Sequence, residues 1–233
     1  MVTLLSILHE PGPALRDVVR TTLFATQLLY DQIIIDCTDA TDLDTIKILE
    51  PFGLVSIRPQ QGMAEARRYV LRQGLDNGGD YFHYVDLDRL IFWNERYPDE
   101  LKAAVSFLQH YDFTIFERSR AAFNSHPELQ RQTESEGNAL AGCVYPTVDF
   151  LAAARGLSRE AAWAILAGSE AEGAGVDVEW PLIVKGLKLS TGFMMVNGMG
   201  YESGVLGIEK PQAEEKALRY RNVEEVKAVV LDQ

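Results

Sequence analysis

The stretch YFHYVDLDR, residues 81–89, is an apolar run that ends in two aspartates one residue apart. It follows a Gly-containing loop and is rich in aromatic residues, which predicts a buried strand over residues 81–88. Residues i and i+2 of an extended chain point to the same side, so Asp86 and Asp88 are expected to present their carboxylates together. Ligands of α/β proteins bind at the carboxyl ends of the strands. Two close carboxylates favour a hard divalent cation with phosphate ligands of its own, so this pair is the first candidate site.

Strand and helix signals alternate through the residues that precede this stretch. The expected strands are residues 2–8, 32–36 and 54–57, and the expected helices are residues 14–29, a segment through 46–49 capped from 38–42, and 62–73 with Gly74 as its cap. Such alternation is typical of a mostly parallel sheet covered by helices. The predicted fold class is therefore α/β, a Rossmann-like three-layer α/β/α sandwich.

The rest of the chain has less regular signals. Helices are expected at residues 97–108, 157–168 and 212–231, with Ser158 as a candidate cap of the second. Strands are expected at 113–116 and 192–197, a loop with helical pieces at 123–142 and a loop at 170–178. The sequence shows no internal repeat and no long linker. A single domain over residues 1–233 is therefore predicted.

Composition and charge limit the possible functions. Hydrophobic residues make up 47% and charged residues 24% of the chain, as in ordinary soluble domains. The formal net charge of −12 argues against nucleic-acid binding, which needs a basic surface. Cys37 and Cys143 lack ligand-like spacing and are expected to be packing residues. No signal peptide or transmembrane segment is expected, so the sequence predicts a cytoplasmic protein.

Four features occur in an order that is similar to that of one enzyme class. They are the opening strand, the segment IIID followed by Thr38 and Asp39, the segment GMAEAR and the segment VDLD, at residues 2–8, 33–36, 62–67 and 85–88. This arrangement resembles the nucleotide-sugar glycosyltransferases of the GT-A fold, especially the large inverting glycosyltransferase family 2. The resemblance covers roughly the first half of the chain. It implies a nucleotide-binding half at residues 1–95 and an acceptor-side half with a helical C-terminal tail at residues 96–233.

The resemblance also implies roles for individual residues. Asp36 would hold the uracil or ribose of a nucleotide, and Arg67 would lie against the nucleotide and its diphosphate. Asp86 would contact the ribose and, with Asp88, a divalent metal. Mn²⁺ or Mg²⁺ suits a site made only of oxygen ligands.

Further candidates come from the end of the first strand and from the second half. His9 and Glu10 follow the first strand and are candidates to line the nucleotide pocket, and the alternative for His9 is an ordinary loop histidine. In an inverting reaction, a carboxylate base deprotonates the acceptor hydroxyl. The resemblance points to Asp177 or Glu179, in the segment GVDVEW, as that base, with Trp180 stacking on a sugar face. The alternative is that both acids are solvated loop residues.

Other assignments also have structural alternatives. Asp36 would instead cap the helix that follows it, and Arg67 would pair with Glu65 on an exposed helix face. His83 lies inside the apolar run and is expected to be a core histidine. His126 is a candidate for the acceptor side.

The predicted function is the metal-assisted transfer of a sugar from a nucleoside diphosphate sugar to an unidentified hydroxyl acceptor, with inversion. Two alternatives stay open. The first is a non-catalytic GT-A-like module that would keep the nucleotide-sugar pocket. It stays open because the chain lacks the C-terminal histidine that many relatives add to the metal shell. A sugar nucleotidyltransferase normally has a Gly-rich, basic loop after its first strand, whereas residues 9–13 contain one glycine and neither lysine nor arginine.

Overall fold

A computed structural model of the chain describes residues 1–10, 12, 15–202 and 212–232, in which seven strands form one sheet. The strands are β1 (Val2–Leu8), β2 (Gln32–Thr38), β3 (Leu54–Arg58), β4 (Tyr81–Tyr84), β5 (Phe113–Arg118), β6 (Arg155–Ser158) and β7 (Thr191–Val196). Their order across the sheet is β3-β2-β1-β4-β6-β5-β7. All neighbouring pairs are parallel except those of β6, which runs antiparallel to both β4 and β5.

Helices cover both faces of this sheet. They are α1 (Arg16–Thr26), α2 (Leu43–Leu49), α3 (Met63–Asp76), α4 (Leu87–Arg96), α5 (Pro98–Phe107), α6 (Arg120–Ser125), α7 (Glu128–Ala141), α8 (Arg159–Gly168), α9 (Val176–Gly186) and α10 (Gln212–Leu231). Successive residues of β1 point to opposite faces: Leu4 packs with α1, α2, α4 and α5, and Leu5 with α3, α8 and α9. The predicted three-layer α/β/α sandwich is therefore confirmed.

The first three strand–helix units agree with the sequence prediction, with small differences at their ends. The residue predicted to open the first helix, Ala14, lies outside the described residues, and the described helix begins at Arg16. Gly74 was expected to cap α3 but lies inside it, and the helix continues to Asp76. A Cβ atom on Gly74 would lie 2.8 Å from the Phe82 ring, so this glycine lets α3 pack closely against β4.

The prediction of a strand through residue 88 is wrong. Strand β4 ends at Tyr84, Asp86 is the extended residue that precedes α4, and Asp88 lies in the first turn of that helix. The physical reason is a helical burial pattern at Leu87, Leu90 and Ile91, spaced by three and four residues. A strand-to-helix turn, not an extended strand, therefore positions the two carboxylates.

The second half differs most from the prediction. The segment 123–142 was expected to be a loop with helical pieces and is largely helical. The expected loop at 170–178 contains a short 3-10 helix and the start of α9. Strand β6 was not predicted, because its four residues are too few to show a period. Ser158 caps α8 as expected, and the C-terminal helix occupies the predicted range and packs on α7 and α9.

Two further features concern cysteine and membrane predictions. Cys37 is buried as expected, and burial together with the charge of Asp36 raises the pKa of its thiol to about 12. Cys143 is exposed, so its assignment as a packing residue is wrong. In the described part of the chain, no helix is both long enough and apolar enough to cross a membrane.

His83 is a core residue, as the sequence predicts. The Tyr30 hydroxyl lies 2.7 Å from its Nδ1, and the rings of Trp93 and Phe116 pack against it. Burial lowers the pKa of His83 to about 3, so the folded protein holds this ring neutral. The unfolded chain takes up a proton near the ordinary histidine pKa of about 6.5.

The His83→Leu variant should therefore change how stability depends on pH. Between about pH 6 and pH 4 the unfolded state binds a proton at His83 that the folded state does not, so acidification destabilises the native chain by up to about 1.4 kcal/mol per pH unit from this residue. Urea unfolding at several pH values should show a shallower loss of stability in His83→Leu. The exposed-site variant His110→Leu is the control and should keep the native slope, and an unchanged slope in His83→Leu would contradict the assignment.

Candidate active site

Two neighbouring cavities lie at the carboxyl ends of the parallel strands. The first has a volume of about 410 Å³, and its walls come from the ends of β1 and β2, the residues before α3 and the turn after β4. Its polar lining includes His9, Glu10, Asp36, Thr38, Arg58, Gln60, Gln61, Asp86 and Asp88. A volume above 300 Å³ is within the usual range of small-molecule sites.

The structure brings five of the predicted nucleotide and metal residues to this first cavity. They are His9, Glu10, Asp36, Asp86 and Asp88. His9 Nδ1 lies 2.7 Å from Thr38 Oγ1, which ties the end of β1 to the end of β2. Parallel strands explain this grouping, because their carboxyl ends meet at the same edge of the sheet.

Asp36 is held by Arg58, a residue that the sequence analysis did not single out. Arg58 donates from Nε to Asp36 Oδ1 at 3.0 Å and from Nη2 to Oδ2 at 2.6 Å, and Ser56 Oγ donates at 2.7 Å. The Arg58 guanidinium also lies 3.5 Å from the centre of the Tyr69 ring. The alternative role of Asp36 as a helix cap is wrong, since Asp42 caps α2.

Asp86 lies between the first cavity and a second, smaller one of about 200 Å³. The Tyr84 hydroxyl donates a hydrogen bond of 2.5 Å to Asp86 Oδ1. Burial raises the pKa of Asp86, the positive charge of Arg67 opposes this, and the charge of Asp88 adds to it. Asp88 is partly exposed, and its Oδ1 accepts a 2.8 Å hydrogen bond from the Arg89 backbone.

These two carboxylates fit a hard divalent ion only as part of a coordination shell. In the described part of the chain, no hydrogen bond reaches Asp86 Oδ2, which leaves this atom available as a ligand. Across residues 1–10, 12, 15–202 and 212–232, no three His, Cys, Asp or Glu side chains gather closely enough to hold a metal ion. Oxygen atoms of a bound ligand and of water molecules would therefore have to fill the remaining coordination positions of the metal.

The second cavity is lined by charged side chains of both signs. Four arginines and three acids line it together with other polar side chains, and α7 and α10 form its outer wall. The charged and titratable residues that line it are Arg67, Asp86, Arg89, Arg118, His126, Glu134, Asp177 and Arg219. Arg118 pairs with Asp149 and Glu134 at 2.7 and 2.6 Å.

Arg67 lies in the second cavity, not against the first. Its Nη1 donates to Asp177 Oδ1 at 2.7 Å, and both side chains are buried. The alternative pairing with Glu65 is wrong, because Glu65 pairs with Arg68. Burial alone would lower the pKa of Arg67, but the charge of Asp177 and the neighbouring groups raise it, so the guanidinium stays charged.

Asp177 was expected in a loop but lies in the first turn of α9. Pro181, four residues later in the same helix, has no N–H to bond the Asp177 carbonyl. Arg155 Nη2 lies 3.3 Å from that carbonyl and 3.5 Å from Asp177 Oδ1. The backbone and the side chain of Asp177 are therefore both held by buried arginines.

Glu179 and Trp180 lie away from both cavities. Glu179 accepts hydrogen bonds from the backbone N–H groups of Glu170 and Ala171 at 2.7 and 2.8 Å, and so fixes the turn before α9. Trp180 is buried and packs edge-on against Tyr84, which leaves no free face, so the expectation that it stacks on a sugar is wrong.

His126 lines the second cavity, on the side predicted for the acceptor. Its Nε2 lies 3.0 Å from the Met199 carbonyl oxygen, which assigns the ring proton to Nε2. Burial and the charges of Arg118 and Arg89 lower its pKa to about 4, so the ring is neutral near pH 7. Apart from Arg67, the arginines of this cavity were not predicted, since they lie far apart in sequence and form no local motif.

The fold is similar to that of solved glucosyl-3-phosphoglycerate synthase structures from Mycobacterium tuberculosis. One, in complex with Mn²⁺, UDP and phosphoglyceric acid, matches with a TM-score of 0.67 and 14% identity over 99% of this chain and 78% of that chain. Another, with Mn²⁺, UDP-glucose and phosphoglyceric acid, matches with a TM-score of 0.66 and 13% identity over 99% and 79%. A third, with Mg²⁺ and UDP, has a TM-score of 0.64 at 13% identity over the same shares.

These matches confirm the predicted GT-A fold. At such low identity they establish the architecture and not the chemistry of this chain. No protein-family model matches the sequence, and no curated protein matches it either.

The Arg58→Ala variant should destabilise the protein by about 3 kcal/mol, because it leaves the buried Asp36 carboxylate without its counter-charge. The free energy of unfolding in urea measures this loss. Lys47→Ala removes one partner of the exposed pair with Asp44 and should leave the stability almost unchanged. Equal stability of Arg58→Ala and the native chain would show that the Asp36–Arg58 pair does not form.

Proposed function

We propose that this protein is a glycosyltransferase that moves a sugar from a nucleoside diphosphate sugar to a hydroxyl acceptor with the help of a divalent metal. The observation that carries the proposal is the position of Asp86, which lines both the larger and the smaller cavity. A transfer between two substrates needs one point at which both sites meet.

The first cavity is the proposed donor site. Its size suits a nucleotide, and Asp36 with Arg58 provides a fixed polar pair at the end of β2 and β3. Solved structures of the same fold are complexes with UDP or UDP-glucose. A uridine diphosphate sugar is therefore the donor we propose, with Asp36 and Arg58 on the nucleoside side and Asp86 and Asp88 on the diphosphate side.

Asp86 and Asp88 would hold Mn²⁺ or Mg²⁺, both of which are named in complexes of the same fold. The metal, when bound, stabilises the negative charge that develops on the departing diphosphate. The chain's own part is to orient the two carboxylates. The Tyr84 hydroxyl holds Asp86 through Oδ1, and the Arg89 backbone N–H holds Asp88 through Oδ1.

The second cavity is the proposed acceptor site. Its volume of about 200 Å³ is below the usual range of small-molecule sites and would admit only a compact ligand. Four arginines line it in a protein whose formal net charge is −12. Structures of the same fold contain phosphoglyceric acid. We therefore propose a small hydroxyl compound that carries an anionic group. Arg89 is the best placed to bind that group, because its only carboxylate partner among the described residues, Asp88, lies 3.6 Å away.

Inversion at the anomeric carbon would need a base that faces the acceptor. Asp177 is the better of the two predicted candidates, since it lines the second cavity and Glu179 does not. Its Oδ1 is occupied by Arg67, so only the other oxygen would accept the hydroxyl proton. The anomeric configuration of the product, read by NMR, decides between inversion and retention.

Turnover of the donor distinguishes the proposed enzyme from the alternative, a non-catalytic module that binds nucleotide sugars. Such a module would bind the donor in the first cavity but would neither transfer nor hydrolyse the sugar. Release of UDP from UDP-glucose in the presence of Mn²⁺ and small hydroxy acids would exclude it.

Titration calorimetry tests the donor site directly. The native chain should bind UDP more tightly with Mn²⁺ than without, and Asp88→Asn should lose roughly tenfold or more of the metal-dependent affinity. Asp76→Asn changes an exposed aspartate at the end of α3 and is the control. If neither UDP nor GDP binds the native chain with or without Mn²⁺, the proposed function is wrong.

A further inference from the structure

We propose that Tyr84 and Arg67 are positioning residues that couple the metal carboxylate Asp86 to Asp177 in the second cavity. A change at Asp177 would then alter the affinity of the first cavity for metal and nucleotide. This inference rests on the proposed function, because it assigns Asp86 to the metal site.

The first link is the hydrogen bond between Tyr84 and Asp86. Arg67 Nε donates to the Tyr84 hydroxyl oxygen at 3.0 Å, so that oxygen already accepts one hydrogen bond. The tyrosine proton is therefore directed to Asp86 Oδ1, 2.5 Å away. Because this bond fixes Oδ1, it also fixes the direction in which Oδ2 can meet a cation.

The second link is the ion pair between Arg67 and Asp177, whose Nη1 and Oδ1 atoms are 2.7 Å apart. Arg67 is only 2% exposed and Asp177 only 6%, so water screens this pair little. The planar guanidinium of Arg67 contacts Tyr84 through Nε and Asp177 through Nη1. If the Arg67 guanidinium rotates to stay in contact with a displaced Asp177, its hydrogen bond to Tyr84 must therefore change as well.

The surroundings of this chain of contacts are rigid. Tyr84 is 1% exposed and ends β4, and Trp180 of α9 packs edge-on against its ring. Arg155 lies 3.5 Å from Asp177 Oδ1 and is also buried. Buried polar networks of this kind transmit displacement, because an unpaired polar group in a low-dielectric interior is costly and its partners move to keep their hydrogen bonds.

The consequence is a thermodynamic link between the two cavities. Asp177 and Arg67 line only the second cavity, whereas Asp88 lines only the first. If a ligand in the second cavity binds Asp177 and displaces it, the contacts through Arg67 and Tyr84 shift the position of Asp86 in the first cavity. Linkage is reciprocal, so a bound metal and nucleotide would equally prepare the second cavity for its ligand.

A double-mutant cycle with Mn²⁺ and UDP as probes tests this coupling. Electron paramagnetic resonance would measure free Mn²⁺ in titrations of the native chain, Tyr84→Phe, Asp177→Asn and the double variant, each with saturating UDP. Tyr84→Phe keeps the ring but removes the hydroxyl and should weaken Mn²⁺ binding about tenfold. Asp177→Asn should weaken it several-fold, and the double variant should be no weaker than Tyr84→Phe alone.

Glu160→Gln, an exposed acid in the first turn of α8, is the control and should bind Mn²⁺ like the native chain. Circular dichroism and the melting temperature establish that each variant is folded. If Asp177→Asn does not fold, Arg67→Lys replaces it in the cycle, because a single ammonium group cannot span both partners.

Unchanged Mn²⁺ affinity in Asp177→Asn, or strictly additive losses in the double variant, would overturn the coupling while leaving the proposed function in place. Failure of the native chain to bind Mn²⁺ and UDP at all would instead remove the proposed function, and this inference with it.

Discussion

The partly buried carboxylate of Asp86 is the group on which the rest of this structure depends. It lies where two cavities meet, and burial there disfavours its charged form. Tyr84 supplies a hydrogen bond to Oδ1 and Arg67 a positive charge, so the carboxylate is held in place while Oδ2 stays available as a metal ligand. These contacts require β4 to end at Tyr84 and α3 to pack closely on the sheet, which Gly74 permits.

The first half of the fold could be predicted because its elements carry strong local signals. Strands such as β1 are mostly apolar runs, and their helices show a clear apolar face. The end of β4 was misjudged, since apolar residues continue past Asp86 and Asp88 into α4. In the second half, β6 is too short to show a period, and α7 exposes a polar face that looks like a loop.

The candidate site was predictable only where the chain brings acids to strand ends. Asp36, Asp86 and Asp88 share the first cavity for that reason. The spacing of Asp177 and Glu179 could not separate them in an extended chain. In the helix that forms, residues two apart differ by roughly 200° in direction, so only one of them faces the second cavity. Arg58 and the arginines of the second cavity are brought together by tertiary packing alone.

The most direct test of the central claim is a crystal structure of the protein grown with Mn²⁺ and UDP. Anomalous scattering locates manganese independently of the protein atoms. We expect one manganese peak bound by Asp86 and Asp88, with the UDP diphosphate against it and the nucleoside beside Asp36 and Arg58. UDP in the first cavity with no manganese at these carboxylates, or a nucleotide bound elsewhere, would contradict it.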